Sequence, residues 1–118
     1  MWERRLERLP ELRLRGGVRI AVADRPSARL VGLAGLREPP RGRALLIPRC
    51  SSIHTFGMRF GLDLIWLGAD GEIVDVTADV RPGRLARRRH ARAVVEARAG
   101  AGAAVFAAVA AAGGLALD

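Results

Sequence analysis

Short apolar segments bounded by turn residues recur along the chain, and their spacing constrains the fold more than any other feature. Four of them cover residues 44–47, 62–67, 72–77 and 93–97. Each has the length of a strand, and glycine, proline and aspartate residues separate them. The pattern predicts a mainly β domain, either a small antiparallel barrel or a jelly-roll-like sandwich, with one or two short helices.

The N-terminal part carries a hairpin signal. Residues 12–15 and 18–22 alternate between apolar and polar side chains on either side of Gly16-Gly17. Two glycines supply the positive φ angles of a tight turn, so we expect a β-hairpin. A short helix is predicted after it at residues 28–34, with Asp24 or Ser27 as its N-cap.

Three further patterns predict elements in the rest of the chain. His54, Phe56, Met58 and Phe60 recur at period two, which predicts a strand with all four on one face. Val105, Phe106 and Val109 form a helical stripe. Residues 115–117 are a candidate closing strand.

Size and charge bound the class of protein. The chain has 118 residues and a mass of 12.7 kDa, which predicts one domain over residues 1–118. The net charge is +8, and every basic residue is an arginine. Arginine, alanine, glycine and proline have GC-rich codons, so the basic pI is weak evidence for a nucleic-acid partner. Residues 50–80 carry one arginine and five acids, whereas residues 81–92 carry six arginines and no acid.

Location and cofactors are bounded mainly by what the sequence lacks. A single cysteine excludes an intramolecular disulfide, and no apolar run follows the N-terminal charges, so a cytoplasmic location is expected. Residues 99–117 carry no charge but consist mostly of alanine and glycine, so no transmembrane segment is expected. No motif predicts a cofactor, and the oligomeric state is left open.

Two acids stand inside apolar runs, Asp63 within residues 62–67 and Glu96 within residues 93–97. A carboxylate on a core-facing strand is costly unless it is paired or hydrogen-bonded. Arg37 and Arg59 are the candidate counter-ions. Alternatively, strand alternation turns each acid towards water, or each accepts backbone N–H groups in a structural network.

Cys50 and His54 are four residues apart and are weak candidates for a metal site or a thiol–histidine nucleophile. A metal would need further ligands from Asp63, Glu96 or His90. The alternative is a small packed thiol beside a half-exposed histidine.

Gly100-Ala101-Gly102 follows a predicted strand and opens a predicted helix, like a dinucleotide-binding turn. Val105 stands where the third glycine belongs, and no second βα unit supplies a ribose-binding acid. The helix could still present N–H groups to an anion.

One stretch, residues 81–92, is a basic cluster that could bind phosphate, anionic lipid or an acidic partner. Its cations are Arg81, Arg84, Arg87, Arg88, Arg89 and Arg92. Aromatic residues for stacking on single strands are not interleaved with them, so nucleic acid is not the expected partner. The alternative is a solvated loop in an arginine-rich chain.

The chain carries, in this order, Gly32-Leu33 followed by Arg37, residues 54–67, residues 70–74, Pro82 and residues 94–100. Together these motifs resemble those of the Domain of Unknown Function 192 family. The resemblance covers residues 18–117 and implies a compact β-rich fold with no established activity. Many relatives look exported. It implies Arg37, Asp63 and Glu96 as the matching polar positions.

These observations favour a binding or accessory module for a small ligand or protein. Its candidate pocket lies near Met58, Asp63 and Glu96, with Arg37 or Arg59 as counter-ion. A hydrolase-like enzyme is the first alternative, using Asp63 or Glu96 with His54 or Cys50. Binding of an anionic surface or nucleic acid through residues 81–92 is the second.

Overall fold

The computed structural model describes residues 8–24 and 42–117. Eight strands and one α-helix lie in these ranges. They are β1 (Glu11–Arg13), β2 (Arg19–Val22), β3 (Arg43–Pro48), β4 (Ser52–His54), β5 (Leu62–Leu67), β6 (Ile73–Val80), β7 (Leu85–Arg87), β8 (Ala93–Arg98) and α1 (Gly102–Ala111). The helix predicted at residues 28–34 and the candidate Arg37 lie outside the described residues.

The strands form two sheets. Six of them pair in the order β1-β2-β3-β8-β5-β6, and β4 pairs with β7 in a second sheet. The mainly β, sandwich-like prediction is confirmed, but the larger sheet that the described residues form ends at β1 and β6 and does not close into a barrel. The antiparallel prediction also needs a correction, because β2 and β3 are parallel. The connection from Val22 to Arg43 has the length that a parallel pair requires.

The predicted N-terminal hairpin is present. β1 and β2 pair antiparallel, and the turn between them contains Gly16 at φ 79° and Gly17 at φ 76°. The amide of Leu14 donates to the carbonyl of Val18 at 2.8 Å and closes the turn. Glycine adopts a positive φ without a steric penalty, so the glycine pair accommodates both of these angles.

The central strands of the six-stranded sheet, β3, β8 and β5, are buried on both faces. On one, which we call the helix face, Ile65 and Val95 pack against Val105 and Val109 of α1 in one apolar cluster. On the other, which we call the second-sheet face, sheet residues share a cluster with side chains from β4 and the loop after it. Its members include Leu45, Leu64, Trp66, Val94, Ile53, Met58 and Phe60. Double burial explains why β5 and β8 have nearly continuous apolar sequences.

The predicted strand through residues 54–60 is wrong beyond His54. β4 ends at His54, and the amide of Met58 donates to the carbonyl of Thr55 at 3.2 Å, so the chain turns there. Gly57, at φ 79°, allows this turn. Met58 and Phe60 are therefore buried, whereas His54 and Phe56 are exposed.

Two further elements differ from expectation. Residues 81–92 contain β7, which the arginine-rich sequence does not predict. Residues 115–117 form no strand, although the amide of Leu115 donates to the carbonyl of Gly71 at 3.0 Å. The alanine-rich segment forms α1, and no helix in the described part of the chain is both long and apolar enough to cross a membrane.

Candidate functional site

Asp63 lies on the helix face and is 7 % exposed. Its Oδ2 accepts hydrogen bonds from the amides of Gly100 and Gly102, both at 2.9 Å. Its Oδ1 accepts one from the amide of Asp79 at 2.8 Å. Three backbone donors compensate the burial of this carboxylate, which agrees with the structural network considered above for Asp63.

Asp63 also caps helix α1 from another part of the chain. The N-cap position, Ala101, makes no side-chain hydrogen bond, and the first turn contains no acid. A carboxylate at a helix N-terminus satisfies amides that lack partners and complements the helix dipole. The anion that the Gly100–Gly102 turn was expected to attract is thus supplied by the protein itself.

Gly102 is required because Asp63 approaches so closely. A Cβ atom built on Gly102 would lie 2.6 Å from both Cβ and Oδ2 of Asp63. A bulge brings the third donor into place, since Leu62 pairs with Val80 but Leu64 pairs with Thr77. Asp79 in this bulge adopts φ 54°, which is uncommon for a residue other than glycine.

Glu96 lies in the middle of β8 and is 4 % exposed. It pairs with Leu45 on one side and Leu64 on the other. Because directly paired residues share a face of the sheet, Glu96 lies with these two leucines on the second-sheet face. Its Oε1 is buried and accepts no hydrogen bond within the described part of the chain. Desolvation raises the pKa of Glu96 from 4.5 to about 7.

The two acids therefore lie on opposite faces of the sheet. The prediction of one pocket lined by both Asp63 and Glu96 needs a correction. Glu96 pairs with Leu64, the residue after Asp63, and successive side chains along a strand point to opposite faces of the sheet. Met58 is buried in the cluster of the second-sheet face, whereas Arg59 is exposed. No hydrogen bond joins Arg59 to either acid in the described ranges.

Cys50 and His54 lie near the second sheet. The Cys50 thiol donates to the carbonyl of Ser52 at 3.1 Å and packs against the cluster of the second-sheet face, on the side opposite Asp63. The His54 ring is exposed and stacks on Phe56, with centroids 5.3 Å apart. The described residues contain no group of three or more acids, histidines or cysteines placed to hold a metal.

Four residues of the predicted basic cluster line one cleft, which we call the arginine cleft. It lies between β6 and β7, has a volume of about 470 Å³ and is lined by residues 77–81 and 84–88. Its cations are Arg81, Arg84, Arg87 and Arg88. Arg92 lines a separate cavity of about 270 Å³ with Arg49 and Cys50, and Arg89 lines neither.

Arg88 is already engaged in bridging the sheets. Its Nε donates to the carboxylate of Asp75 on β6, and this bond holds the pKa of Asp75 below its usual range. Its guanidinium also lies 6.0 Å from the centroid of the Trp66 ring. Arg81, Arg84 and Arg87 are exposed and make no ion pair with any described residue.

Thr55, a residue that sequence reasoning missed, fixes the turn that joins β6 to β7. Its side chain is fully buried, and its hydroxyl donates to the carbonyl of Arg81 at 2.7 Å. The same hydroxyl accepts from the amide of Arg84 at 2.8 Å, and the Thr55 carbonyl accepts from the amide of Gly83 at 3.0 Å. Only a tertiary contact across 26 to 29 residues reveals this role.

Comparison with protein families assigns the chain. The model of the family DUF192, described as "Uncharacterized ACR", matches residues 11–108. The chain therefore belongs to the Domain of Unknown Function 192 family, as the motifs around Asp63 and Glu96 predicted. No functionally curated protein matches the sequence.

Two solved structures share the fold. A protein of Sinorhizobium meliloti, provisionally described as a transcription regulator, has a TM-score of 0.67 at 20% identity, over 81% of this chain and 83% of that one. A protein of unknown function from Novosphingobium aromaticivorans has a TM-score of 0.65 at 15% identity, over 88% and 91% of the two chains. At these identities the likeness concerns the fold alone.

Proposed function

We propose that this domain is a binding module that recognises an anionic partner at the arginine cleft. The observation that carries the proposal is the gathering of four arginines around one cleft of about 470 Å³. This volume falls in the range of ligand-binding clefts. Guanidinium groups bind carboxylates and phosphates with paired hydrogen bonds.

The charges in the cleft favour an anion. Arg81, Arg84 and Arg87 are exposed there, whereas Asp79 is the only acid among the described residues of the lining. Arg88 is neutralised by Asp75. The remaining charge is therefore positive, although residues 50–80 as a whole are acidic.

The cleft is held in shape before anything binds. Thr55 ties both ends of the turn at Arg81 and Arg84, and the bridge from Arg88 to Asp75 links the second sheet to β6. Arginines on a fixed frame lose less conformational freedom on binding than arginines on a mobile loop.

The hydrolase-like alternative has less support. Asp63 is separated from Cys50 and His54 by the six-stranded sheet. The amide of Cys50 donates to the carbonyl of Arg92. Arg92 precedes Glu96 by four residues, or ~13 Å along an extended strand, so the backbone of Cys50 lies far from that of Glu96. No described arrangement brings a carboxylate, a thiol and an imidazole into one cleft.

Calorimetric titration with tripolyphosphate and with an acidic peptide tests the proposal. The double variant Arg84→Glu/Arg87→Glu should weaken binding of both anions at least tenfold. The variant Arg8→Glu/Arg15→Glu is the matched control, because it changes two exposed arginines outside the cleft by the same charge. Equal weakening in both variants would show a general effect of net charge and refute a specific site.

A further inference from the structure

Resting on the proposed function, we infer that the partner is an extended acidic polypeptide segment that lies in the arginine cleft as an added strand between β6 and β7. The segment belongs to another protein and combines carboxylate and apolar side chains. Backbone edges, charge and exposed apolar surface each support this assignment.

The cleft lies between two strand edges. β6 and β7 follow one another in the chain, yet each pairs into a different sheet, β6 with β5 and β7 with β4. In the described ranges β6 ends the larger sheet, and the two strands do not pair with each other. The amides of Val76 and Asp79 on β6 already donate to the carboxylates of Asp75 and Asp63. The other N–H and C=O groups along the two edges are the kind that bind a peptide by strand addition.

This backbone chemistry favours a polypeptide over the other anions. A phosphate group or a nucleic-acid backbone offers acceptors for the arginines but no N–H donors for the carbonyls of a strand edge. A peptide backbone offers both at the spacing of a strand, about 3.3 Å per residue. Carboxylates of the same segment would pair with Arg81, Arg84 and Arg87.

Exposed apolar surface continues from the cleft. Leu85 lines it and is 76 % exposed. Leu85 pairs with His54 across the second sheet, and His54 stacks on Phe56, which is 54 % exposed. A segment that carries an aliphatic or aromatic side chain beside its carboxylates would cover this surface.

The experiment uses the full chain and three probes. They are an acetylated, amidated Glu-Val-Glu-Val-Glu peptide, the same peptide N-methylated at both valines, and tripolyphosphate. We expect N-methylation to weaken binding at least tenfold. It removes two amide N–H groups of the peptide that would donate to the strand edges, and it leaves the charge of the peptide unchanged. Hydrogen exchange should show new protection of amides in β6 and β7 when the unmethylated peptide binds.

A second variant tests the apolar contribution. Leu85→Ser should weaken the valine-containing peptide at least threefold and leave tripolyphosphate binding unchanged. Phe106→Ser is the control, since Phe106 is also an exposed apolar residue but lies on α1, outside the cleft. Equal effects of the two substitutions would overturn the apolar part of the inference.

The outcomes separate this inference from the proposed function. If both peptides and tripolyphosphate bind equally well and Arg84→Glu/Arg87→Glu weakens all three, the anion site stands and the added strand is refuted. If that double variant changes none of them, both proposals fail. Binding of a single-stranded oligonucleotide or of phosphatidylserine vesicles through the cleft, without binding of the peptide, would also overturn the polypeptide inference.

Discussion

Asp63 and Glu96 are two buried carboxylates on neighbouring strands of one sheet, and they differ in the hydrogen bonds that they accept. Asp63 accepts three backbone hydrogen bonds on the helix face. Glu96 has a buried Oε1 that accepts none within the described residues, and its pKa rises to about 7. Hydrogen-bond donors therefore compensate the burial of Asp63, whereas the buried Glu96 Oε1 has no such compensation from the described residues.

Replacement of Asp63 should produce the largest effect. Asp63→Ala would leave three amides unsatisfied and remove the cap of α1, so we expect a loss of about 4 kcal/mol in the free energy of unfolding. Urea denaturation followed by circular dichroism measures it. Asp63→Asn should also destabilise the fold, by a few kcal/mol. The asparagine side chain has an NH₂ group in place of one carboxylate oxygen, and this group cannot accept a hydrogen bond from a backbone amide.

Asp70→Asn is the matched control, since Asp70 is exposed on a turn. A change at Asp63 no larger than the change at Asp70 would contradict a structural role for the buried carboxylate.

Glu96 should instead affect how the free energy of unfolding depends on pH. Its pKa is higher in the folded protein than the unfolded value of 4.5, so the folded state binds more protons between pH 4.5 and about 7. The contribution of Glu96 to stability therefore falls as pH rises through this window, by on the order of 3 kcal/mol.

Glu96→Leu removes this dependence and tests its sign. The leucine variant should gain stability relative to wild type between pH 5 and pH 8, measured by urea denaturation at each pH, because an apolar side chain carries no desolvated charge. A difference that does not change with pH would contradict the raised pKa of Glu96, and one that changes in the opposite direction would show that the folded protein stabilises its carboxylate.

Gly102 offers a smaller and sharper test of how closely Asp63 approaches α1. Gly102→Ala places a methyl group 2.6 Å from the Asp63 carboxylate and should destabilise by about 2 kcal/mol, although alanine normally favours a helix. Ala107→Gly, at an exposed position of the same helix, should cost about 1 kcal/mol, the ordinary helix preference. Thermal unfolding of both variants compares them, and stabilisation by Gly102→Ala would mean that the approach is looser.

Much of this architecture could be predicted from local patterns. The strands β3, β5 and β8 follow from their apolar runs, and the hairpin from Gly16-Gly17. β7 could not, because Leu85 to Arg87 has no distinctive alternation and becomes a strand by pairing with β4. The turn after His54 was missed for a different reason: residues 54–60 keep the period-two pattern of a strand, but the chain turns at Gly57, where the amide of Met58 donates to the carbonyl of Thr55.

The family, the β-rich class, the two unusual acids and the positive cluster at residues 81–92 all follow from local sequence patterns. The tertiary fold was needed to show that the acids lie on opposite faces, that α1 is capped by Asp63, and that the arginines surround a cleft between two sheets. Apolar patterning is local and can be read along the chain, whereas strand pairing and bulges join distant residues. They place three amides around Asp63 and leave the Glu96 Oε1 without a donor in the described chain.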